Sequence, residues 1–151
     1  MILEVQNEIE MKALGERLGV VMSGGEIIEL VGDVGAGKTT LTKGIARGLA
    51  IDEDVQSPSF TISRVYEARD GLFLAHYDFY RLHDAGIMNS ELHETLNDSK
   101  TVTVVEWGDI VTGVLPGDRL SIHITPLSET SRKVELKASG EKAAKILEKL
   151  A

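Results

Sequence analysis

The chain of 151 residues contains no cysteine, and this absence removes three kinds of chemistry at once. Without a thiol there are no disulfides, no thiolate metal ligands and no cysteine nucleophile. No apolar stretch approaches the ~20 residues of a membrane-spanning helix. The N-terminal residues also lack the basic segment and long apolar run of a signal peptide. Together these absences predict a soluble, cytoplasmic protein that does not contact a membrane.

The chain has no excess of positive charge either. It carries 16 Lys and Arg residues against 24 Asp and Glu residues, a formal charge of −8. A broad nucleic-acid footprint needs clustered basic side chains, so the composition argues against direct binding of this kind. Lys43 and Arg47 lie four residues apart in a predicted helix, a spacing more typical of a solvated helix face. If RNA is involved, we expect a partner to hold it.

One motif stands out among the residues that are present. Residues 32–39 read Gly-Asp-Val-Gly-Ala-Gly-Lys-Thr, a complete P-loop of the form GxxxxGK[ST]. The apolar, β-branched segment 26–31 before it predicts a strand, and the apolar spacing within 39–49 predicts a helix. Strand, glycine loop and helix form the context that a P-loop requires. The sequence therefore predicts a nucleoside-triphosphate site.

The chemistry of this loop follows from its residue types. Gly32, Gly35 and Gly37 are expected to adopt φ values closed to other residues, so that successive N–H groups surround a phosphate. Lys38 is expected to reach the β- and γ-phosphates, and the Thr39 hydroxyl to bind Mg²⁺. The predicted nucleotide-binding residues of the loop are Asp33, Val34, Gly35, Ala36, Gly37, Lys38, Thr39 and Thr40.

A P-loop site needs a further protein oxygen near Mg²⁺, usually a carboxylate at the end of a buried strand. Glu106 ends the hydrophobic run 101–106, the pattern of a Walker B element, and Asp78 ends the predicted strand 72–78. Both are candidate metal ligands and, with Lys38, candidate catalytic residues. Trp107 directly follows Glu106 and is a candidate to pack against the nucleotide, with a structural aromatic as the equal alternative.

Other candidates are less specific. The proline-marked loop 57–61 carries hydroxyls that could sense a γ-phosphate, and Arg64 and Arg81 could neutralise phosphoryl charge. Four histidines lack the paired spacing of a zinc site: His76, His83, His93 and His123. His76 and Asp78 would share a face of their strand, which suggests a polar site there.

The remaining periodicities predict the rest of the fold. A helix is expected at 8–22, with the apolar face Ile9, Met11, Leu14, Leu18 and Val21. Further helices are expected at 89–97 and at the C-terminus, where Ala143, Ile146, Leu147 and Leu150 share a face. Strands are expected at 62–67, 72–78, 101–106, 120–124 and 132–136, with a hairpin turn at Asp70-Gly71. The α/β pattern predicts a single P-loop domain over 1–151, with a mostly parallel central sheet, flanking helices and antiparallel edge strands.

Four motifs together give a more specific resemblance. They are the P-loop, the segment 57–61 (Ser-Pro-Ser-Phe-Thr), the segment 76–82 (His-Tyr-Asp-Phe-Tyr-Arg-Leu) and the pair Glu106-Trp107. In this order they resemble the TsaE family, also called YjeE, of small bacterial ATPases. The resemblance runs from about Gly24 to Trp107, and the last forty or so residues match less distinctively.

The resemblance implies a P-loop ATPase that uses ATP and Mg²⁺ and takes part in making threonylcarbamoyladenosine in tRNA. In that family the protein works with the TsaD and TsaB proteins, and TsaD carries the transferase site. Thr39, Asp78 and Glu106 match family positions tied to metal binding and catalysis, and Trp107 matches a position near the site. Hydrolysis would drive or reset the assembly between turnovers, and the partners would hold the tRNA. Because the sequence shows no obvious catalytic base or arginine finger, we expect turnover to be slow in isolation and stimulated by partners.

Three alternatives remain open from the sequence. A small-molecule kinase would be expected to carry an arginine-rich lid, and no cluster of arginines is present. A GTPase would be expected to carry an Asn-Lys-x-Asp motif, which is also absent. A module that binds nucleotide without hydrolysing it stays open as an alternative, because the sequence shows no obvious catalytic base or arginine finger.

Overall fold

The computed structural model describes residues 1–33, 35–56, 63–79, 89–107 and 113–151. Within these ranges seven strands form one sheet, and four helices cover it. The strands are β1 (Ile2–Val5), β2 (Ile27–Val31), β3 (Ser63–Glu67), β4 (Phe73–Asp78), β5 (Thr101–Glu106), β6 (Leu120–Pro126) and β7 (Arg132–Ala138). The helices are α1 (Glu8–Val20), α2 (Lys38–Gly48), α3 (Asn89–Leu96) and α4 (Glu141–Leu150).

The strand order β1-β7-β6-β2-β5-β4-β3 places the strand before the P-loop at the centre of the sheet. The central pairs β6–β2, β2–β5 and β5–β4 are parallel, whereas the pairs towards both edges are antiparallel. All six residues of β5 are buried, as expected for a β-branched run in the middle of a parallel sheet. The predicted fold class is therefore confirmed.

The sheet has a hydrophobic core on each face. On one face, Leu74, Val102 and Val104 pack in a cluster that includes apolar residues of α1, α2 and α4. On the other face, Tyr77 and Val105 pack in a smaller cluster with leucines of α3. Alternation along β4 and β5 thus points every second side chain, including His76 and Glu106, towards the layer of α1 and α2.

Helices α1 and α2 approach each other at four glycines. A Cβ atom added to Gly44 would overlap the Lys12 carbonyl oxygen and lie 2.9 Å from the Gly15 Cα. The same closeness holds one turn further on, where Gly19 meets Gly48. Only hydrogen side chains permit this backbone-to-backbone packing, so the four glycines set the position of the P-loop helix.

The predicted inner face of the first helix was partly wrong. Ile9 was expected on the apolar face, but its side chain is 79% exposed. The predicted end at residue 22 was also two residues late, since α1 ends at Val20. The glycine contact with α2 turns the helix so that Met11, Leu14 and Leu18 face the core and Ile9 does not. The spacing of apolar residues does not reveal a helix face that packs through glycines, as α1 does through Gly15 and Gly19.

The predicted hairpin between β3 and β4 is confirmed. Asp70 and Gly71 both have positive φ values, 58° and 72°, as a tight turn between antiparallel strands requires. The neighbouring Arg69 donates from its guanidinium to carbonyl oxygens of Gly19 and Gly48, at the C-terminal ends of α1 and α2. The turn therefore also donates hydrogen bonds to carbonyl oxygens in the last turns of both helices.

Strand β1 was not predicted. This strand pairs with β7 in antiparallel fashion, with Ile2 opposite Glu135 and Val5 opposite Arg132. In four residues the alternation of apolar and polar side chains is too short to identify a strand. The strand with which β1 pairs, β7, lies about 130 residues away in the sequence. β1 brings the chain directly to Asn7, whose side chain caps the first turn of α1.

Candidate functional site

The P-loop joins β2 to α2 through two glycines in the left-handed region. Gly35 has φ 81° and Gly37 has φ 113°, values that side-chain-bearing residues rarely adopt. Gly37 is the N-cap of α2 and provides no side-chain hydrogen bond to the first turn. The N–H groups of this turn are therefore available to an anion, and the helix dipole adds partial positive charge there.

Gly32 corrects the prediction that all three glycines need special φ values. Its φ is not positive, in contrast to Gly35 and Gly37. A Cβ at Gly32 would lie 2.9 Å from the Ile124 carbonyl oxygen and 3.2 Å from the Ala36 Cβ. Glycine is required here because β6 and the returning loop approach the backbone closely.

Two carboxylates lie beside the loop, as the parallel sheet predicts. Asp78 and Glu106 end adjacent strands and are register partners, so both emerge at the same edge of the sheet. Asp78 is 9% exposed and Glu106 is 2% exposed. The structure thus brings two acidic side chains from distant parts of the sequence to the start of α2.

Lys38 is buried in the middle of this acidic surrounding. Its Nζ donates to the Gly32 carbonyl oxygen at 2.5 Å and lies 3.8 Å from the centroid of the Trp107 ring. Burial lowers the pKa of Lys38 from its usual value, and the negative charges of Glu106 and Asp78 oppose that shift. Because burial disfavours the charged form of Lys38, an anion bound beside its ammonium group would stabilise that form.

Trp107 holds its position over Lys38 with an unusual backbone. Its φ of 57° is in the left-handed region, which is uncommon for a bulky residue. Strained conformations of this kind concentrate at binding sites, and this one directs the indole to the ammonium group next to Glu106. The structure therefore places Trp107 at the cavity, with its ring against the P-loop lysine.

These residues line one open cavity of about 750 Å³. A volume of this size suits a nucleotide. Of the predicted site residues, the lining includes Gly35, Ala36, Gly37, Lys38, Thr39, Thr40, Asp78, Glu106 and Trp107. Asp33 lies next to the lining and is close enough to influence Lys38 electrostatically.

One wall of the cavity was missed by the sequence analysis. It consists of the start of α1, with Asn7, Ile9 and Met11, and the β6–β7 turn with Glu129 and Thr130. None of these residues belongs to a phosphate motif, so only the tertiary fold reveals them. Ile9 does not pack in the core, and its exposed side chain provides an apolar surface in the cavity on which the flat base of a nucleotide could stack.

Arg132 was also missed, and it connects that wall to the P-loop. Its Nε donates to the Ala36 carbonyl oxygen at 3.0 Å, and its Nη1 donates to the Ser128 carbonyl oxygen at 2.9 Å. The guanidinium thus fixes the β6–β7 turn against the phosphate loop. A single arginine at the start of β7 gives no signal of this in the sequence.

The oxygens at the site fit a hard divalent cation. Thr39 supplies a hydroxyl, and Asp78 and Glu106 supply carboxylates, the ligand types that Mg²⁺ prefers. Within the part of the chain that the structure describes, there is no group of three or more His, Asp or Glu residues placed to hold a metal. Mg²⁺ characteristically takes few protein ligands and completes its shell with water and phosphate oxygens, so the set is compatible with it.

His76 lies directly behind Glu106. Its Nε2 is 2.5 Å from the Glu106 Oε2, and the histidine side chain is fully buried. The other ring nitrogen, Nδ1, is buried without a hydrogen-bond partner among the described residues. The suggested polar site on this face of β4 thus contains a histidine–carboxylate pair.

The described part of the site does not include every sequence candidate. Val34, the loop 57–61, Arg81 and His83 fall outside the described residues. Arg64 is exposed on the edge strand β3, opposite His76 in the register, and is outside the cavity lining.

No helix in the described ranges is long and apolar enough to cross a membrane.

Comparison with known proteins identifies the family. The model of the family "Threonylcarbamoyl adenosine biosynthesis protein TsaE" matches residues 5–134. The tRNA threonylcarbamoyladenosine biosynthesis protein TsaE of Streptomyces coelicolor is 41% identical over 115 residues, 76% of this chain and 78% of that protein. The protein of the same name from Bacillus subtilis is 37% identical over 145 residues, 95% of this chain and 89% of that protein.

A solved structure has the same fold as this chain. The crystal structure of Bacillus subtilis YdiB superposes with a TM-score of 0.81 and 32% sequence identity. The match covers 99% of this chain and 93% of that one. With the P-loop, the paired carboxylates and the sheet order in place, the chain belongs to the TsaE family of threonylcarbamoyladenosine biosynthesis proteins.

Proposed function

We propose that the chain binds ATP and hydrolyses it at the P-loop cavity, as an accessory of the complex that forms threonylcarbamoyladenosine in tRNA. The observation that carries this proposal is the convergence of Lys38, Thr39, Asp78 and Glu106 on one cavity at the start of α2. Membership of the TsaE family supplies the link to tRNA modification.

Binding of the phosphates uses the backbone and Lys38. The N–H groups around Gly35 and Gly37 and the first turn of α2 donate to phosphate oxygens. Lys38 exchanges the Gly32 carbonyl oxygen for the β- and γ-phosphates, where its charge opposes the negative charge of the transferring group. The wall of Asn7, Ile9 and Met11 then receives the base.

The metal-binding residues are Thr39 with Asp78 and Glu106. When bound, Mg²⁺ would neutralise negative charge on the phosphate oxygens. Thr39 and one carboxylate are enough protein ligands for this ion. The second carboxylate then orients the attacking water, which is the remaining requirement for hydrolysis.

Turnover is expected to be slow in isolation and stimulated by partners. The described lining of the cavity offers one arginine, Arg132, whose guanidinium already donates to backbone carbonyls. An arginine finger that neutralises the transition state accelerates phosphoryl transfer by about 10³–10⁵-fold. We therefore place the stimulating contact in the TsaD and TsaB proteins, which also hold the tRNA in the cytoplasm, while this chain with charge −8 does not bind it directly.

Removal of the metal tests the proposal. Phosphate release from ATP is expected to fall to background in EDTA and to return when Mg²⁺ is restored, because the carboxylates alone repel the triphosphate. ATP is expected to be preferred over GTP, and no metabolite is expected to be phosphorylated. ATP binding without any phosphate release, with or without partners, would instead show a nucleotide-gated binding module.

A further inference from the structure

A buried histidine in the core needs an explanation. His76 is fully buried on the face of β4 where Leu74 belongs to the hydrophobic core, and its register partner in β5 is Val104. Its Nδ1 has no hydrogen-bond partner among the described residues, and a buried polar atom left unpaired destabilises the folded state. An apolar side chain of similar volume would avoid that destabilisation. Core stability therefore does not account for a histidine here.

The partner of the other nitrogen indicates what the histidine does. Nε2 lies 2.5 Å from the Glu106 Oε2, and an ionised carboxylate can only accept, so the histidine donates. The bond uses one carboxylate oxygen and leaves the second for the cavity that Glu106 lines. It also fixes the carboxylate plane beside Asp78, the register partner of Glu106.

We propose that His76 is a positioning residue that orients the Glu106 carboxylate for metal binding. The inference rests on the proposed function, because it requires a divalent cation at Thr39, Asp78 and Glu106. Hydrogen-bond partners behind a metal-binding carboxylate hold it in the binding geometry before the ion arrives, and their loss costs about 10–100-fold in metal affinity or activity. Without the donor, Glu106 would have to be ordered by the ion itself.

Three substitutions separate this role from core packing. His76→Gln places an amide donor near the position of Nε2, whereas His76→Asn places the same amide one bond short. His76→Leu removes both nitrogens and keeps a buried side chain. The glutamine and asparagine variants are a matched pair, alike in polarity and different in the reach of the donor.

The readout is the binding of a non-hydrolysable ATP analogue, AMP-PNP, measured by calorimetry in EDTA and across a series of Mg²⁺ concentrations. We expect His76→Asn and His76→Leu to raise the Mg²⁺ concentration at half-saturation by about 10-fold or more, with His76→Gln within about threefold of wild type. Affinity for AMP-PNP in EDTA is expected to be equal in all four proteins. Thermal melting in EDTA confirms that each is folded.

The outcomes separate this inference from the proposed function. If Mg²⁺ does not affect AMP-PNP binding by the wild type, the metal site itself is refuted. If the wild type needs Mg²⁺ and the asparagine and glutamine variants respond to it alike, the positioning role of His76 is refuted alone. Loss of folding in all three variants would also overturn the inference, since it would assign His76 to the core.

Discussion

Replacing Lys38 with alanine is expected to lower ATP turnover by at least ~100-fold, since loss of one preorganised charge-stabilising group typically costs ~10²–10³ in rate. Lys38 is the cation that the structure places between the P-loop backbone and the carboxylates of Asp78 and Glu106. No other described lysine lines the cavity, so the lost charge is not replaced. Phosphate release under saturating Mg²⁺ and ATP measures the effect.

Lys43→Ala is the matched control for this substitution. Lys43 lies on the same helix five residues later, where it lines a separate surface depression with Arg47 and Asp54. Its loss is expected to leave turnover within about twofold of wild type, as for most surface substitutions away from a site. Equal losses in both variants would show that helix charge in general, and not the position of Lys38, governs the activity.

Replacing Gly44 with alanine is expected to destabilise the protein, although alanine ordinarily stabilises a helix by about 1 kcal/mol relative to glycine. The added methyl would overlap the Lys12 carbonyl oxygen and press against the Gly15 Cα, both backbone atoms that cannot rotate away. Overpacking of this kind costs typically 1–3 kcal/mol or more. Because both contacts are with backbone atoms, we expect a cost at the upper end of this range, about 3 kcal/mol, and a net loss of about 2 kcal/mol. That loss corresponds to about 4–8 °C in melting temperature at this chain length.

Gly117→Ala provides the comparison for that loss. No heavy atom lies within 4 Å of a Cβ at Gly117, and its φ is not positive. The melting temperature of this variant is expected to stay the same or to rise slightly, because alanine restricts the unfolded chain. If Gly44→Ala also melted at or above the wild-type temperature, the close packing of α1 on α2 would be refuted.

The parts of the site that the sequence predicts are those whose chemistry is local. The P-loop is a contiguous motif, and its strand and helix are visible in the neighbouring periodicity. Asp78 and Glu106 are far apart in the sequence, yet their proximity follows from one rule. The carboxyl ends of parallel strands lie at the same edge of a sheet. Their convergence was predictable once both segments were identified as strands.

The parts that the sequence does not predict depend on packing between distant elements. The wall formed by Ile9 and Thr130 joins the first helix to the β6–β7 turn, and neither segment carries a motif. The side of α1 that packs on α2 is formed by Gly15 and Gly19, so it carries no apolar spacing to detect, and Ile9 was expected on the apolar face although its side chain is exposed. His76 was noted for sharing a face with Asp78, but its bond to Glu106 depends on the register between β4 and β5.

The most direct test of ATP hydrolysis at the P-loop is ATP turnover by the purified chain, alone and with the TsaB and TsaD proteins, with Lys38→Ala as the control. We expect slow Mg²⁺-dependent turnover alone, a marked increase with the partners, and loss of both in the variant. Partner binding that leaves turnover unchanged, or stimulated turnover that survives in Lys38→Ala, would contradict that expectation.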